Sequence, residues 1–128
     1  MTIDIREGPG VDLAALAELR ARCEFAALPE ATLAAQLAGS RWLAHAHDGN
    51  RLVGFARAIS DGVTTAYVSN VMVDPAYRRL GIGRRLLAAL TAGRDGVKFV
   101  LHTRTGSRSF YSAIGFVDAA DMMVRDRR

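Results

Sequence analysis

The densest chemistry in the chain lies at Arg78-Arg79-Leu80-Gly81-Ile82-Gly83-Arg84-Arg85, where four arginines bracket two glycines. Arginine binds phosphate oxygens as a two-pronged fork, and glycine lets a backbone come close to an anion. Flanking residues supply the setting. Val68 to Val73 is rich in β-branched residues, Asp74-Pro75 stops a strand, and from Ile82 the apolar positions Leu86, Leu87 and Leu90 recur at helical spacing. The glycines therefore fall at a helix start, whose unpaired N–H groups and positive dipole end favour an anion, with no Cβ on Gly81 or Gly83 to hold a phosphate off. A dinucleotide loop needs G-x-G-x-x-G directly after the strand, and only its first two glycines occur. A P-loop needs Gly-Lys-Ser/Thr, and the single lysine, Lys98, lies elsewhere. Two readings remain: an R-x-x-G-x-G anion loop, and a glycine-bearing helix start with a solvated arginine face.

Other residues with chemical potential are scattered. His45 and His47 share a strand face, but no third ligand stands near them in sequence, so no metal is expected and both are read as ordinary strand residues. Cys23 is the only cysteine, which rules out a disulfide framework and reads as a small buried hydrophobe on a helix. Tyr111 follows Phe110 on a short helix.

Positioning these residues takes a succession of elements. Ile3 and Ile5 alternate in a first strand. Asp12 caps a helix carrying Leu13, Leu16 and Arg20, and Leu28-Pro29-Glu30 opens a second helix that Gly39 closes. From Trp42 the period changes to two, with a turn at Asp48-Gly49-Asn50 and a second turn at Ser60-Asp61-Gly62 leading into Val63 to Val73. After the long helix come a strand over 97–102, a helix from about Thr105 to Ile114, and closing strands at Phe116-Val117 and Met122-Met123-Val124. Antiparallel strands followed by helix–strand alternation give a mixed α/β (α+β) fold: a mostly antiparallel central sheet of six or seven strands flanked by about four helices.

At 128 residues and 50% hydrophobic content, residues 1–128 read as a single domain with a real core. No apolar run approaches the ~20 residues of a membrane span, and Asp4 and Glu7 spoil a signal-peptide pattern, so a cytoplasmic location is expected. The formal net charge of +4 is concentrated at Arg78 to Arg85 and at Arg125, Arg127 and Arg128. It suits a nucleotide cofactor or nucleic acid. Aromatic residues make up only 7% and do not interleave with the basic cluster, which disfavours a nucleic-acid stacking platform.

A second motif decides between the readings. Phe110-Tyr111-Ser112-Ala113-Ile114-Gly115-Phe116, placed after Arg78-Arg79-Leu80-Gly81-Ile82-Gly83, resembles the F-Y-x-x-x-G-F that follows the coenzyme A pyrophosphate loop in the GNAT superfamily of N-acetyltransferases. With the element order, the resemblance covers nearly the whole chain. It implies a GNAT-like acyl-CoA N-acyltransferase fold, acetyl-coenzyme A as co-substrate, no metal, and transfer to a primary amine of a small molecule or peptide by direct attack in a ternary complex. It also implies that the first two helices border the acceptor site, that backbone from Val71, Met72 and Val73 contacts the pantetheine arm, and that Arg78, Arg79, Leu80, Gly81, Ile82, Gly83 and Arg84 contact the pyrophosphate. Tyr111 becomes the general acid near the sulfur. Neither membrane nor nucleic acid is an expected partner, and a homodimer is left open.

Two departures qualify the match. The family often carries an acidic base on the strand before the loop, whereas Tyr67 to Met72 contains no carboxylate; Ser69 or Asn70 could position a water instead, and His45 or His102 could accept the proton. The Asn that many members place at the start of the Phe-Tyr helix is also missing, leaving Arg104, Thr105 or Ser107 to hold the coenzyme arm and Arg108 to meet the 3′-phosphate. The alternatives are a coenzyme A-binding sensor without turnover and a basic nucleic-acid-binding module.

Overall fold

The computed structural model describes residues 2–104 and 106–128. In chain order its elements are β1 (Ile3–Glu7), α1 (Leu13–Arg22), α2 (Glu30–Ala38), β2 (Trp42–Asp48), β3 (Arg51–Ser60), β4 (Thr65–Val73), a 3-10 turn (Pro75–Tyr77), α3 (Ile82–Thr91), β5 (Lys98–Val100) and α4 (Arg108–Ala113). Local chemistry explains the boundaries. The Asp12 carboxylate accepts the Ala15 N–H at 3.0 Å and caps α1, and the turn between β2 and β3 runs through Gly49 at φ +58°.

The sheet runs β1-β2-β3-β4-β5. Its first four strands pair antiparallel and β5 pairs parallel with β4, as expected for a mixed sheet. That last pairing joins only Thr65 to Lys98, Ala66 to Phe99 and Tyr67 to Val100. Beyond Tyr67 the two strands part, and among the described residues no strand pairs with residues 68–73 of β4 on that side.

Two apolar layers sandwich the sheet. On one face α3 lays Ile82, Leu86, Leu87 and Leu90 over Ala44, Ala46, Val53, Ala56 and Ala58, and the small strand residues allow a close approach. A Cβ on Gly54 would lie 3.0 Å from Leu86 and 3.1 Å from Ile82, so a side chain there would push the helix away. On the other face, Leu16, Leu19 and Cys23 of the α1 region and Leu33 of α2 cover Leu43, Leu52, Phe55 and Met72.

The strand count corrects the sequence expectation. Among the described residues five strands form rather than six or seven, because neither Phe116-Val117 nor Met122-Met123-Val124 joins the sheet. Both segments are apolar, but Val117 is 88% and Met123 95% exposed, and β5 offers only three residues to pair with. Strand β5 is correspondingly shorter than the 97–102 expected. Helix α4 begins at Arg108; Thr105, where a start was expected, lies outside the described residues. Among the described residues no helix is long and apolar enough to cross a membrane.

Candidate functional site

The loop between β4 and α3 is held from behind by Asp74. This carboxylate is 2% exposed, accepts Arg22 Nε at 2.7 Å and an Arg51 guanidinium nitrogen at 3.1 Å, and takes the Ala76 N–H at 2.9 Å. Burial pushes its pKa up, but the Ala76 N–H and the two guanidinium groups outweigh that and hold it below the ordinary carboxylate range. The sequence shows Asp74-Pro75 only as a strand stop. In the structure Asp74 is also the fixed point of the loop, and Tyr77, whose hydroxyl donates to the Asp48 carboxylate, ties the 3-10 turn to the β2–β3 hairpin.

From that anchor the backbone turns through two left-handed residues, Arg79 at φ +65° and Gly81 at φ +77°. Arginine pays conformational strain there, which glycine avoids. Gly81 caps α3 without any side-chain hydrogen bond, and the first N–H bonded back is that of Arg85, to the Gly81 carbonyl at 3.1 Å. Among the described residues, therefore, the N–H groups of Gly81, Ile82, Gly83 and Arg84 have no acceptor. They form an open, positively polarised helix end. Ile82 anchors it from below at 1% exposure, while Leu80 is half exposed.

The structure redistributes the loop residues. Arg78 does not reach outward with its Nε, which donates to the Val73 carbonyl at 3.2 Å, and Cys23 Sγ lies 3.4 Å from the same oxygen. Arg85 is tied to the Ile3 carbonyl. Arg79 and Arg84 have no side-chain hydrogen bond among the described residues. Gly83 is needed for a different reason than phosphate approach: an added Cβ would lie 3.1 Å from the Phe110 ring, so this glycine lets α4 dock on the start of α3. Cys23 ends α1 as its C-cap, and burial raises its thiol pKa.

Where β4 leaves β5, a cavity of about 390 Å³ opens, lined among others by Ser69, Asn70, Val71, Arg104, Ser107 and Tyr111. Its β4 wall is bulged: Phe55 pairs with Met72 and Arg57 with Ser69, so Asn70 and Val71 together face Ala56. Asn70 takes the extra turn at φ +54° and its Oδ1 accepts Arg57 Nε at 2.7 Å and Ser69 Oγ at 3.3 Å. Tyr111 stands opposite on α4, its ring edge-on to Phe110 and Phe116, and its hydroxyl has no partner among the described residues. Burial raises the phenol above its ordinary pKa, with the charge of Arg104 pulling it partly back. A larger hollow of about 680 Å³ lies across Tyr111, between β5, α4 and the residues up to Met122, and touches neither the loop nor the β4 edge.

The structure thus brings Ser69, Asn70, Val71, Ser107 and Tyr111 around one cavity and places Arg79, Leu80, Gly81, Ile82, Gly83 and Arg84 at the adjoining helix end. Met72 does not line the cavity; its side chain is buried in the core beneath α1. Val73 has its carbonyl already engaged. Ser107 caps α4 and hydrogen-bonds the Arg104 carbonyl at 2.8 Å, while Arg108 pairs with Asp118 at 3.1 Å. Thr105 lies outside the described residues. Of the two histidines that could accept the proton, His102 lines the cavity edge-on to Tyr67, whereas His45 sits on β2, two strands away. There His45 Nδ1 meets His47 Nε2 at 2.7 Å and its Nε2 meets the Gly8 carbonyl at 3.0 Å, so these are a buried, mutually hydrogen-bonded pair. No carboxylate lines the cavity.

A family model described as an acetyltransferase (GNAT) domain matches residues 39–118. Serotonin N-acetyltransferase 2 of rice, named chloroplastic, is 35% identical over 118 residues, covering 87% of this chain and 59% of that protein. A histone acetyltransferase of Glycine max is 35% identical over 97 residues, covering 71% of this chain and 42% of its own. The chain spans about half the length of the curated relatives it matches. A solved GNAT-family acetyltransferase of Streptococcus pneumoniae shares the fold at a TM-score of 0.80 and 24% identity, over 99% of this chain and 100% of that one.

Proposed function

Because the chain belongs to the GNAT acetyltransferase family, whose members use an acyl-coenzyme A and an acceptor, we propose that it moves an acetyl group from acetyl-coenzyme A to a primary amine of a small molecule or peptide within a ternary complex. The observation that carries this reading is the meeting of two unsatisfied backbone surfaces: the β4 edge left bare beyond Tyr67 and the open N-terminus of α3. Their chemistry fits the cofactor, since a helix end with free N–H groups suits a pyrophosphate and a bare strand edge suits an amide-bearing arm.

Acetyl-coenzyme A supplies the acyl group as a thioester, whose carbon–sulfur bond breaks as the amine's carbon–nitrogen bond forms. The N–H groups of Gly81 to Arg84, with the side chains of Arg79 and Arg84, hold the pyrophosphate; Leu80 and Ile82 shape the turn. Val71 and Met72 offer backbone to the arm, and Val73 with Arg78 closes the strand end. Tyr111 Oη holds a proton for the departing sulfur. Its raised pKa keeps it protonated at neutral pH, so it acts chiefly by donating a hydrogen bond as negative charge develops.

The amine must be neutral to attack. With no carboxylate in the cavity and Arg104 on its wall, the local field disfavours an ammonium ion and so lowers the amine's pKa. Asn70 has its oxygen committed to Arg57, which leaves its NH2 and the Ser69 hydroxyl to position a water or the acceptor. His102 borders the cavity and can take the proton.

Initial-rate measurement of thiol release across an amine panel tests the proposal. Release that requires an amine and yields the acetylated amine supports it. Binding of acetyl-coenzyme A without amine-dependent release by any member would favour a sensor, a reading supported by the missing carboxylate.

A further inference from the structure

Three guanidinium groups come together on the α1 side of the cavity. Arg104, in the segment after β5, lies at the cavity wall, whereas Arg20 of α1 (6% exposed) and Arg57 of β3 (8% exposed) are buried behind the lining, Arg57 reaching it through Asn70 and Arg20 through Phe25. The carbon at the centre of the Arg104 guanidinium is 3.9 Å from the centroid of the Phe25 ring, and that of Arg20 is 5.3 Å from the same centroid. Arg57 is oriented by Asn70 Oδ1 at 2.7 Å and Ser40 Oγ at 3.3 Å.

This cluster has no counter-charge. Every Asp and Glu of the chain is described, and their ion pairs are with Arg6, Arg22, Arg51 and Arg108. Arg20 gives one nitrogen to the Ala26 carbonyl at 2.8 Å, while its buried Nε has no partner among the described residues. Burial, followed by the neighbouring charge, lowers the pKa of Arg20 through Arg104 and of Arg57 through Arg20. Buried like charges with an unsatisfied donor are costly unless an anion relieves them.

We propose that Arg20, Arg57 and Arg104 form an anion pocket of the acceptor site, so that the favoured acceptor is an amine carrying a carboxylate or phosphate at its other end. This rests on the acetyl-transfer reading of the same cavity. The pocket is separate from the α3 loop: none of residues 78–84 lines this cavity, and α3 packs on the opposite face of the sheet. Arg104 and the proposed acid Tyr111 line the same cavity of about 390 Å³, so an anion held at Arg104 shares that space with the reacting end of the acceptor. Phe25, faced by two guanidinium groups, is a flat wall that orients them.

The test has two arms. With coenzyme A saturating and ionic strength fixed, inorganic phosphate should raise the melting temperature of the parent and of a control at an exposed arginine outside the site, Arg125→Gln, but not of Arg104→Gln; no phosphate effect in the parent overturns the pocket. Acetyl transfer is then compared for O-phosphoethanolamine against ethanolamine and for phenylalanine against phenethylamine. A charge-assisted pocket should favour the anionic member by about tenfold or more in kcat/KM, and Arg104→Gln or Arg57→Lys should shrink that ratio severalfold. Equal use of both members in the parent refutes the proposal while leaving acetyl transfer standing. If Arg104→Gln instead weakens coenzyme A and the neutral amines gain nothing, the anion is the coenzyme's own phosphate and the proposal is wrong. Failure of acetyl-coenzyme A to bind at all would remove the transfer reading, while the phosphate melts of the parent and Arg104→Gln, repeated without coenzyme, would still report on the pocket.

Discussion

Arg57 Nε donates to Asn70 Oδ1 at 2.7 Å, joining a buried guanidinium on β3 to the bulged, left-handed residue of β4. One side chain thus fixes two features: the direction of the bulge that lines the cavity and the orientation of an arginine with no carboxylate partner.

Substituting Asn70 should separate these effects. Asn70→Ala removes the acceptor and forces a Cβ-bearing, non-Asn residue to keep φ +54°, whereas Asn70→Gly removes only the acceptor. Urea unfolding should show Asn70→Ala about 2 kcal/mol below the parent and Asn70→Gly roughly 1 kcal/mol better than Ala. Equal losses would mean that the left-handed backbone is not a constraint.

The two loop glycines should behave differently. Gly81→Ala meets open space but must hold φ +77°, so it should cost about 1 kcal/mol and disturb the helix end that receives the anion. Gly83→Ala has an ordinary backbone and meets Phe110 at 3.1 Å, so its loss should be recovered by Phe110→Leu. Double-mutant cycles on thermal stability check this, and simple additivity for Gly83→Ala with Phe110→Leu would refute the contact.

Asp74→Asn should cost about 2 kcal/mol, less than a fully buried pair because Arg22 and Arg51 remain partly in water. The loop should loosen with it, so the variant should also bind acetyl-coenzyme A more weakly. Normal affinity in a destabilised variant would show that Asp74 serves the core alone.

The His45–His47 pair gives a pH dependence with a definite sign. Burial holds both imidazoles below their ordinary 6.5, with Arg6 lowering each further and the Gly8 carbonyl partly opposing this at His45. The unfolded chain therefore binds more protons near and just below that pH, so stability is full above 6.5 and is lost as pH falls from there through the depressed folded values. Thermal melts from about pH 7.5 to about pH 5.5 should decline, and the double variant His45→Gln with His47→Gln should decline less. An unchanged slope would assign the effect elsewhere.

What is legible in the sequence follows from what is local. The R-x-x-G-x-G stretch, the strand before it and the helix after it are written in adjacent residues, and so are the hairpin turn at Gly49 and the Asp12 cap. The Phe110–Gly115 segment is equally compact. The arginine cluster is not, because Arg20, Arg57 and Arg104 are brought together only by the stacking of α1 on β3 and the path of the chain after β5. The role of Gly83 is hidden in the same way, since its neighbour Phe110 belongs to another element. The closing strands fail for the converse reason: Met122-Met123-Val124 has strand-like composition, but the three-residue β5 leaves it no ladder to join.

In the proposed reaction the bare β4 edge and Tyr111 act on one acyl group from opposite walls of the same cavity. Single-turnover acetyl transfer, measured with saturating acetyl-coenzyme A and acceptor, compares the parent with Tyr111→Phe directly. Deleting the hydroxyl should slow transfer about 30-fold, below the usual range for a general acid because a thiolate leaves tolerably unprotonated, with cofactor affinity and melting temperature nearly unchanged. A rate within about threefold of the parent, with chemistry rate-limiting, would contradict the claim and leave Tyr111 as a packed wall of the cavity.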